Sequence, residues 1–428
     1  MSRGERRTII RHARARDGRP ARWVRALRTA ATVVVVVAVA AVSVVAIAAW
    51  RLSSDVASRS VDISNGNANV VDGVSVAAPS IGAMSGAFTV LLVGEDNSSG
   101  QTGFGAARDA TLNDVNILVH VAADHRSAAV VSIPRDLVID QPACTDPTTE
   151  QVYAAVSAEP LNTAISRGGL GCVVATVEQQ TGLAIPYAAL FSFEGTVAMA
   201  DAVGGVQVCA TKAIDDPDSG LKLKAGVSTI SGRTALAYLR SRHGVGDGSD
   251  LGRIASQQAY MSSLLRKMTS SSTLTDPAKL YALASAAANN VVLSKSLAGL
   301  DTMVTMMLAL KQIPLSSIAF VQYPVATDPA DTNKVVPDTA LAATLMQRVT
   351  GGKPISLSTS NLGVSAVLAP TKPASSSGSS SSAAAGSSSS ASPSPTPSVS
   401  SSSTSSSSIP GLKGQTAAEQ TCSVAAGG

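Results

Sequence analysis

The 428-residue chain predicts an α/β sandwich built around a mixed central sheet, with a membrane-spanning helix before it and a disordered tail after it. Three observations carry that prediction. Short β-rich runs come first in the central region, and helical patterns follow them. Apolar residues make up 45% of the chain but aromatics only 3%, so a sizeable core must be built from Ala, Val, Leu and Ile. A charge-free run near the N-terminus and a Ser-rich stretch near the C-terminus bracket the ordered part.

Residues 1–29 form an Arg-rich tail. Ten arginines up to Arg28 face only Glu5 and Asp17, a local balance of +8. The net charge of +4 therefore leaves −4 on the remaining 400 residues, which speaks against a basic nucleic-acid binder. Residues 30–50, "AATVVVVVAVAAVSVVAIAAW", carry no charge and are long enough to cross a bilayer, which takes roughly 20 apolar residues. The arginines before them predict a cytoplasmic N-terminus and a single-pass cell-membrane protein whose bulk is extracytoplasmic. The alternative is a cleaved signal peptide with small residues near Ala46–Ala49, although such peptides usually have an apolar stretch of about 7–15 residues. Residues 51–86, poor in large apolar groups, read as a stalk. Residues 359–428, dominated by Ser, Ala and Pro, read as a disordered tail that cannot bury enough apolar surface to offset its ordering entropy. The ordered module is 87–358.

Within it, "FTVLLV" (88–93), "VNILVHV" (115–121) and "AAVVSI" (128–133) predict strands, the last two joined as a hairpin by "AADHRS". Helices are predicted over 173–181 (closed by Gly182), 231–240 (Ser231 as N-cap), 251–268, 277–290, 294–311 and 337–350. Asp250 reads as the N-cap of the 251–268 helix. The four cysteines allow three pairings. Cys144–Cys172 is favoured because both lie in nearby polar or Gly-rich loops; four buried free thiols are the alternative.

Two charged groups stand out. If the three strands are sequential antiparallel neighbours, Asp96, Asp114 and Arg135 (of "SIPRD", with Asp136 beside it) meet at one sheet edge. Two carboxylates suit Mg²⁺, which keeps waters and phosphate oxygens in its shell. In "YLRSRHGVGDGSDLGR", Arg240 and Arg242 leave one helix while Arg253 and Gln257 share a face of the next. Guanidinium forks grip phosphate oxygens bidentately. Solvated turn residues and a helix-end cation complementing the dipole are the plainer readings of the same residues. His243 has no evident orienting partner.

"FTVLLVGED", "LNDVNILVHV", "AAVVSIPRD", "LNTAISRGGLGC", "DAVGGVQVC", "ISGRTALAYLRSR" and "DGSDLGRIASQQ", in this order across 88–270, resemble a LytR-CpsA-Psr (LCP) domain. The resemblance implies an α-β-α sandwich with an apolar pocket. It also implies Mg-dependent transfer (Mg²⁺, or Mn²⁺ in its place) of an anionic glycopolymer from a polyprenyl-pyrophosphate carrier to peptidoglycan. Partners would be that lipid-linked polymer, peptidoglycan and membrane lipid, with no nucleic acid. Carried over position by position, the metal carboxylates fall on Asp96 and Asp114. The pyrophosphate-binding residues fall on Arg135, Arg240, Arg242, Arg253 and Gln257; the resemblance assigns no general base, and Asp114 and Asp136 are the candidates at the sheet edge. Leu112-Asn113-Asp114 stands where many members have Arg-Ser-Asp, with Arg108 as a substitute cation. Pro160-Leu161-Asn162 stands where many have a lysine first. A non-catalytic binding scaffold and a lipid-pyrophosphate hydrolase are the alternative activities.

Overall fold

The computed structural model describes residues 56–64, 84–96, 111–270, 291–358, 361–369 and 408–427, with isolated positions between 23 and 54 and between 283 and 290. The chain divides into two compact units, Met1–Leu52 and Ser53–Gly428, and the fold below is that of the second. Among the described residues no helix is long and apolar enough to cross a membrane; the run 30–50 lies outside them apart from Ala30 and Ala31. Arg108, most of the 277–290 helix and the Ser-rich stretch 370–407 also lie outside them.

In chain order the strands that frame the site are β1 (Phe88–Glu95), β2 (Asn113–Val121), β3 (Ala128–Ile133), β4 (Tyr187–Phe191), β5 (Val206–Ala210), β6 (Gly226–Ile230), β7 (Val291–Leu293), β8 (Ile318–Gln322), β9 (Ala366–Leu368), β10 (Gly414–Thr416) and β11 (Thr421–Ser423). The main helices are α1 (Ala164–Thr181), α2 (Phe193–Ala202), α3 (Gly232–Arg240), α4 (Asp250–Met268), α5 (Leu300–Gln312) and α6 (Thr339–Thr350). The central sheet runs β7-β4-β1-β2-β3-β8-β10. It is mixed: β1 pairs antiparallel with β2 and β2 with β3, while β4 lies parallel to β1 and β8 parallel to β3. A second sheet runs β6-β5-β11-β9.

Every residue of β3 and of β8 is buried, as expected of inner strands covered on both faces. On one face Leu91, Val93, Leu118, Val131 and Val321 pack against Val173 and Val177 of α1 and Leu345 and Val349 of α6. The opposite face meets α4, where Gln322 Nε2 donates to Leu251 O at 3.1 Å. Period-two alternation along the strands sends neighbouring side chains into the two layers.

Several boundaries differ from the sequence expectation. α1 starts at Ala164, not Val173, and bends where Gly168 and Gly169 leave helical dihedrals; Gly169 takes φ 67°, which a glycine adopts at no steric cost. The helix expected over 294–311 begins at Leu300, because Val291–Leu293 is drawn into the sheet beside β4. The tail 359–428 is not disordered throughout. Residues 361–369 and 408–427 supply β9, β10 and β11 and bury Leu362, Ala366, Ile409, Leu412 and Cys422. The Ser-rich composition of the stretch between them had masked these short apolar flanks. Cys144 is bridged to Cys172 on α1, and Cys209 on β5 to Cys422 on β11, so the described residues hold no free cysteine.

Candidate functional site

The antiparallel order of β1, β2 and β3 brings the end of the first, the start of the second and the end of the third to one edge. At β1 the register shifts between Gly94 and Glu95, and the chain turns so that Asp96 N donates to Leu112 O at 3.1 Å. Leu112 N donates to Asp96 Oδ1 at 2.9 Å, so this buried carboxylate fastens the first strand to the second. Beside it, burial and the Asp96 charge push Glu95 up to about 7. Asn113 is fully buried and faces inward. Its amide donates to Asn116 Oδ1 at 2.8 Å and its oxygen accepts the Ile165 N–H at 3.2 Å, so it seats the start of α1 and does not reach the site.

Arg135 is the centre of the cluster. Its Nη1 lies 2.7 Å from Asp114 Oδ1, and its Nε lies 3.4 Å from Asp136 Oδ2 and 3.5 Å from Asp250 Oδ1. Burial works against its charge, but Asp114, Asp250 and Asp136 outweigh burial and raise its pKa above that of an ordinary arginine. The Pro160-Leu161-Asn162 turn holds its backbone: Asn162 N donates to Arg135 O at 3.0 Å and Leu161 N to Leu137 O at 2.8 Å. The turn acts as a buckle on the strand end that carries Arg135.

Ser249, not Asp250, caps α4, its Oγ accepting the Gly252 N–H at 3.1 Å. The correction is consequential. As the first helical residue, Asp250 turns inward and pairs with Arg253 Nη2 as well as Arg135. Arg253, only 6% exposed at its side chain, also donates to Asp114 O at 3.1 Å. Burial raises the Asp250 carboxyl, with Arg253 and Arg135 opposing, and lowers Arg253, with Asp250 opposing. Neither Asp250 oxygen has an aligned hydrogen bond and Arg253 Nε has none. The pair is therefore held by charge more than by directed hydrogen bonds.

The loop between α3 and α4 carries Arg242, whose charge acts on both Asp250 and Arg253. Arg240, at the end of α3, places its guanidinium 4.5 Å from the centroid of the Phe193 ring, at the start of α2. Gln257 Nε2 donates to Leu239 O at 2.9 Å, so its amide nitrogen fixes the exit of α3 one residue before Arg240. Ser231 occupies the N-cap of α3 without a side-chain cap bond. His243 does have a partner, Asp218 at 2.6 Å, but the pair is exposed and outside the cluster.

Asp114, Arg135 and Asp136 are thus brought together at the sheet edge and Arg253 joins them, with Arg242 in electrostatic reach; Asp96, expected in the same group, is engaged with Leu112 at the adjoining strand end. Asp250 was missed because Asp is as good a cap as Ser, and "SD" offers both. Among the described residues no group of three His, Cys, Asp or Glu has metal-holding geometry. Arg135 takes up Asp114 Oδ1 and the Leu112 N–H takes up Asp96 Oδ1, so a hard cation at this edge would be held by the remaining carboxylate oxygens with waters completing its shell.

Residues 51–349 match the model of the LytR_cpsA_psr family. The cell wall biosynthesis protein LcpA of Corynebacterium glutamicum is 34% identical over 258 residues, covering 54% of this chain and 49% of that protein. The polyisoprenyl-teichoic acid–peptidoglycan teichoic acid transferase TagU of Bacillus cereus is 29% identical over 209 residues, 49% of this chain and 59% of that one. Among solved structures, the LytR-Csp2A-Psr enzyme from Actinomyces oris aligns with a TM-score of 0.47 at 21% identity, over 63% of this chain and 95% of that one. The chain spans about half the length of the curated relatives it matches. With the family model matched across well over half of its residues, on the span that carries the strand-end carboxylates and the arginine loop, the chain belongs to the LytR_cpsA_psr family.

Proposed function

We propose that the protein is an extracytoplasmic phosphotransferase, anchored in the cell membrane by residues 30–50, that moves an anionic glycopolymer from a polyprenyl-pyrophosphate carrier onto a peptidoglycan sugar hydroxyl. The observation that carries the reading is the charge cluster itself. Arg135 and Arg253 are pinned by Asp114, Asp136 and Asp250 at the sheet edge, with the Arg240–Arg242 segment beside them. A relative whose name specifies transfer of teichoic acid from a polyisoprenyl carrier to peptidoglycan supports the same chemistry.

Arg240, Arg242 and Arg135 bind the diphosphate and stabilise charge that develops on its oxygens in the transition state. The acceptor hydroxyl oxygen bonds to the sugar-linked phosphorus and the bond to the bridging oxygen breaks. Polyprenyl phosphate leaves with that electron pair. The hydroxyl proton passes to Asp114 or Asp136, both of which sit against Arg135. Mg²⁺ (or Mn²⁺), held by Asp96 and Asp114, would neutralise phosphate charge when bound. Asp250 positions Arg135 and Arg253, and Gln257, whose amide nitrogen holds the exit of α3, orients the diphosphate beside Arg240.

A second reading, a polyprenyl-phosphate or wall-polymer binding scaffold, draws on Leu112 and Pro160, which supply no cation. Full-length protein in detergent, incubated with Mg²⁺, a lipid-pyrophosphate glycopolymer and peptidoglycan oligomers, separates the readings. Covalent polymer–peptidoglycan product is expected. Phosphate release without that product would indicate a hydrolase, and saturable binding alone the scaffold.

A further inference from the structure

The C-terminal segment meets the arginine loop from both sides. Gly246 N donates to Val424 O at 2.9 Å, and Ala426 N donates to Gly244 O at 3.0 Å. Gly246 has φ 56°, and a Cβ there would come within 2.6 Å of Ser365 Cβ, so the loop lies flat on this segment. Ser365 O in turn accepts the Val424 N–H at 2.9 Å, and Ser365 Oγ donates to Gly252 O in the first turn of α4. Ser423 ties the two helices that flank the loop: its Oγ lies 2.6 Å from Tyr238 Oη on α3 and 3.0 Å from Ser256 Oγ on α4. One residue earlier, Cys422 is bonded to Cys209 on β5. None of residues 408–427 falls within the span matched by the family model, and they follow the Ser-rich stretch 370–407.

We infer that residues 408–427 are an intramolecular brace: they hold the 241–249 loop, and with it Arg240 and Arg242, in the form that binds a diphosphate, and the Cys209–Cys422 bond latches them in place. The inference rests on the diphosphate reading for its ligand but not for its mechanics. An unbraced 241–249 loop, with glycine at 244, 246 and 248, would have to be ordered at the moment of binding, which weakens affinity by the ordering entropy.

A protease site placed between residues 371 and 407 allows the test on otherwise full-length protein in detergent. The readouts are amide exchange at 244–248 and the affinity for farnesyl diphosphate. Cutting with the disulfide intact should change neither. Cutting Cys209→Ser/Cys422→Ser protein and removing the released piece should expose the loop amides and weaken binding at least tenfold. A synthetic peptide of residues 408–428 should restore both. A second variant, Ala426→Pro, deletes only the bond to Gly244 and should raise exchange at the loop and weaken binding a few-fold in an intact fold. Loop protection and affinity unchanged after loss of the piece, or a cut protein that the peptide does not rescue together with wild-type behaviour of Ala426→Pro, overturns the inference. If intact protein binds no diphosphate, the functional reading fails, and amide exchange alone still decides the brace.

Discussion

Removing the Asp250 charge is the sharpest perturbation this site offers. In Asp250→Asn, Arg253 stays in a pocket that leaves its side chain 6% exposed, with Asp114 O at 3.1 Å as its remaining acceptor besides the new amide. Arg135 keeps Asp114 and Asp136 but loses its third carboxylate. Breaking a buried pair by deleting one partner costs about 3–5 kcal/mol. The amide still offers an oxygen and Arg135 is only partly uncompensated, so the lower end, about 3 kcal/mol, is expected. For a domain of this size that is about 5 °C in Tm. The assay is urea unfolding of Asp250→Asn, Arg253→Met and the double variant. The double variant should recover about 2 kcal/mol of the summed losses, because each single change strands the other's charge. Additive losses, or an Asp250→Asn protein as stable as wild type, would falsify the claim that this pair is a buried electrostatic unit.

Other outcomes follow from the same geometry. Arg240→Ala and Arg242→Ala should each cut glycopolymer transfer roughly 10- to 1,000-fold in single-turnover assays while leaving circular dichroism and Tm near wild type, since neither guanidinium is buried. Phe193→Ala, which removes the ring beneath Arg240, should weaken diphosphate binding by less than about 1 kcal/mol, read by titration calorimetry. Chelation with EDTA should abolish transfer, with recovery on adding Mg²⁺ or Mn²⁺ but not on adding a monovalent cation at matched ionic strength. Burial opposes the Asp216 charge, but hydrogen bonds from Ser241, Ser219 and Gly244 outweigh burial and hold its carboxyl below the usual aspartate value of 3.8. A depressed folded-state pKa stabilises above the unfolded value and loses that stabilisation as pH falls through the folded one. Amide exchange at 241–246 should therefore rise on acidification below the ordinary carboxylate range, and Asp216→Asn should flatten that response.

What the sequence disclosed and what it hid divide along physical lines. The strand-end cluster was legible because three consecutive strands with a tight turn have one simple antiparallel arrangement, which fixes which ends meet. The arginine pair was legible because so few charged residues interrupt this chain. Tyr187–Phe191 and Ile318–Gln322 escaped notice as strands, since parallel partners are brought in from far along the chain and short runs buried on both faces show no alternation. Asp250 was hidden by a one-residue ambiguity. Shifting the cap from Asp250 to Ser249 turns a solvent-facing oxygen into an interior charge. The two C-terminal pieces were hidden by composition, because averaging over 370–407 drowned strands of three residues.

The charge count explains why the loop and its brace matter more than the arginines' number suggests. At the sheet edge, Arg135 and Arg253 face Asp114, Asp136 and Asp250, a balance of −1 that by itself repels a diphosphate. Those carboxylates make the two arginines rigid but spend their charge. Arg240 and Arg242 reverse that local balance to +1, with Asp96 at the adjoining strand end still to be offset by a bound cation, and both sit at the exit of α3, on or beside the Gly-rich segment. Affinity for a polyanion then depends on where that segment is held, and its tethers are Asp216 on one side and Ser423, Val424 and Ala426 on the other. Loosening the loop and removing its arginines should accordingly converge on the same defect. Ala426→Pro combined with Arg242→Ala should bind farnesyl diphosphate only slightly worse than Arg242→Ala alone. Fully multiplicative losses would mean that the loop and the arginine act independently, and the electrostatic argument for the brace would be wrong.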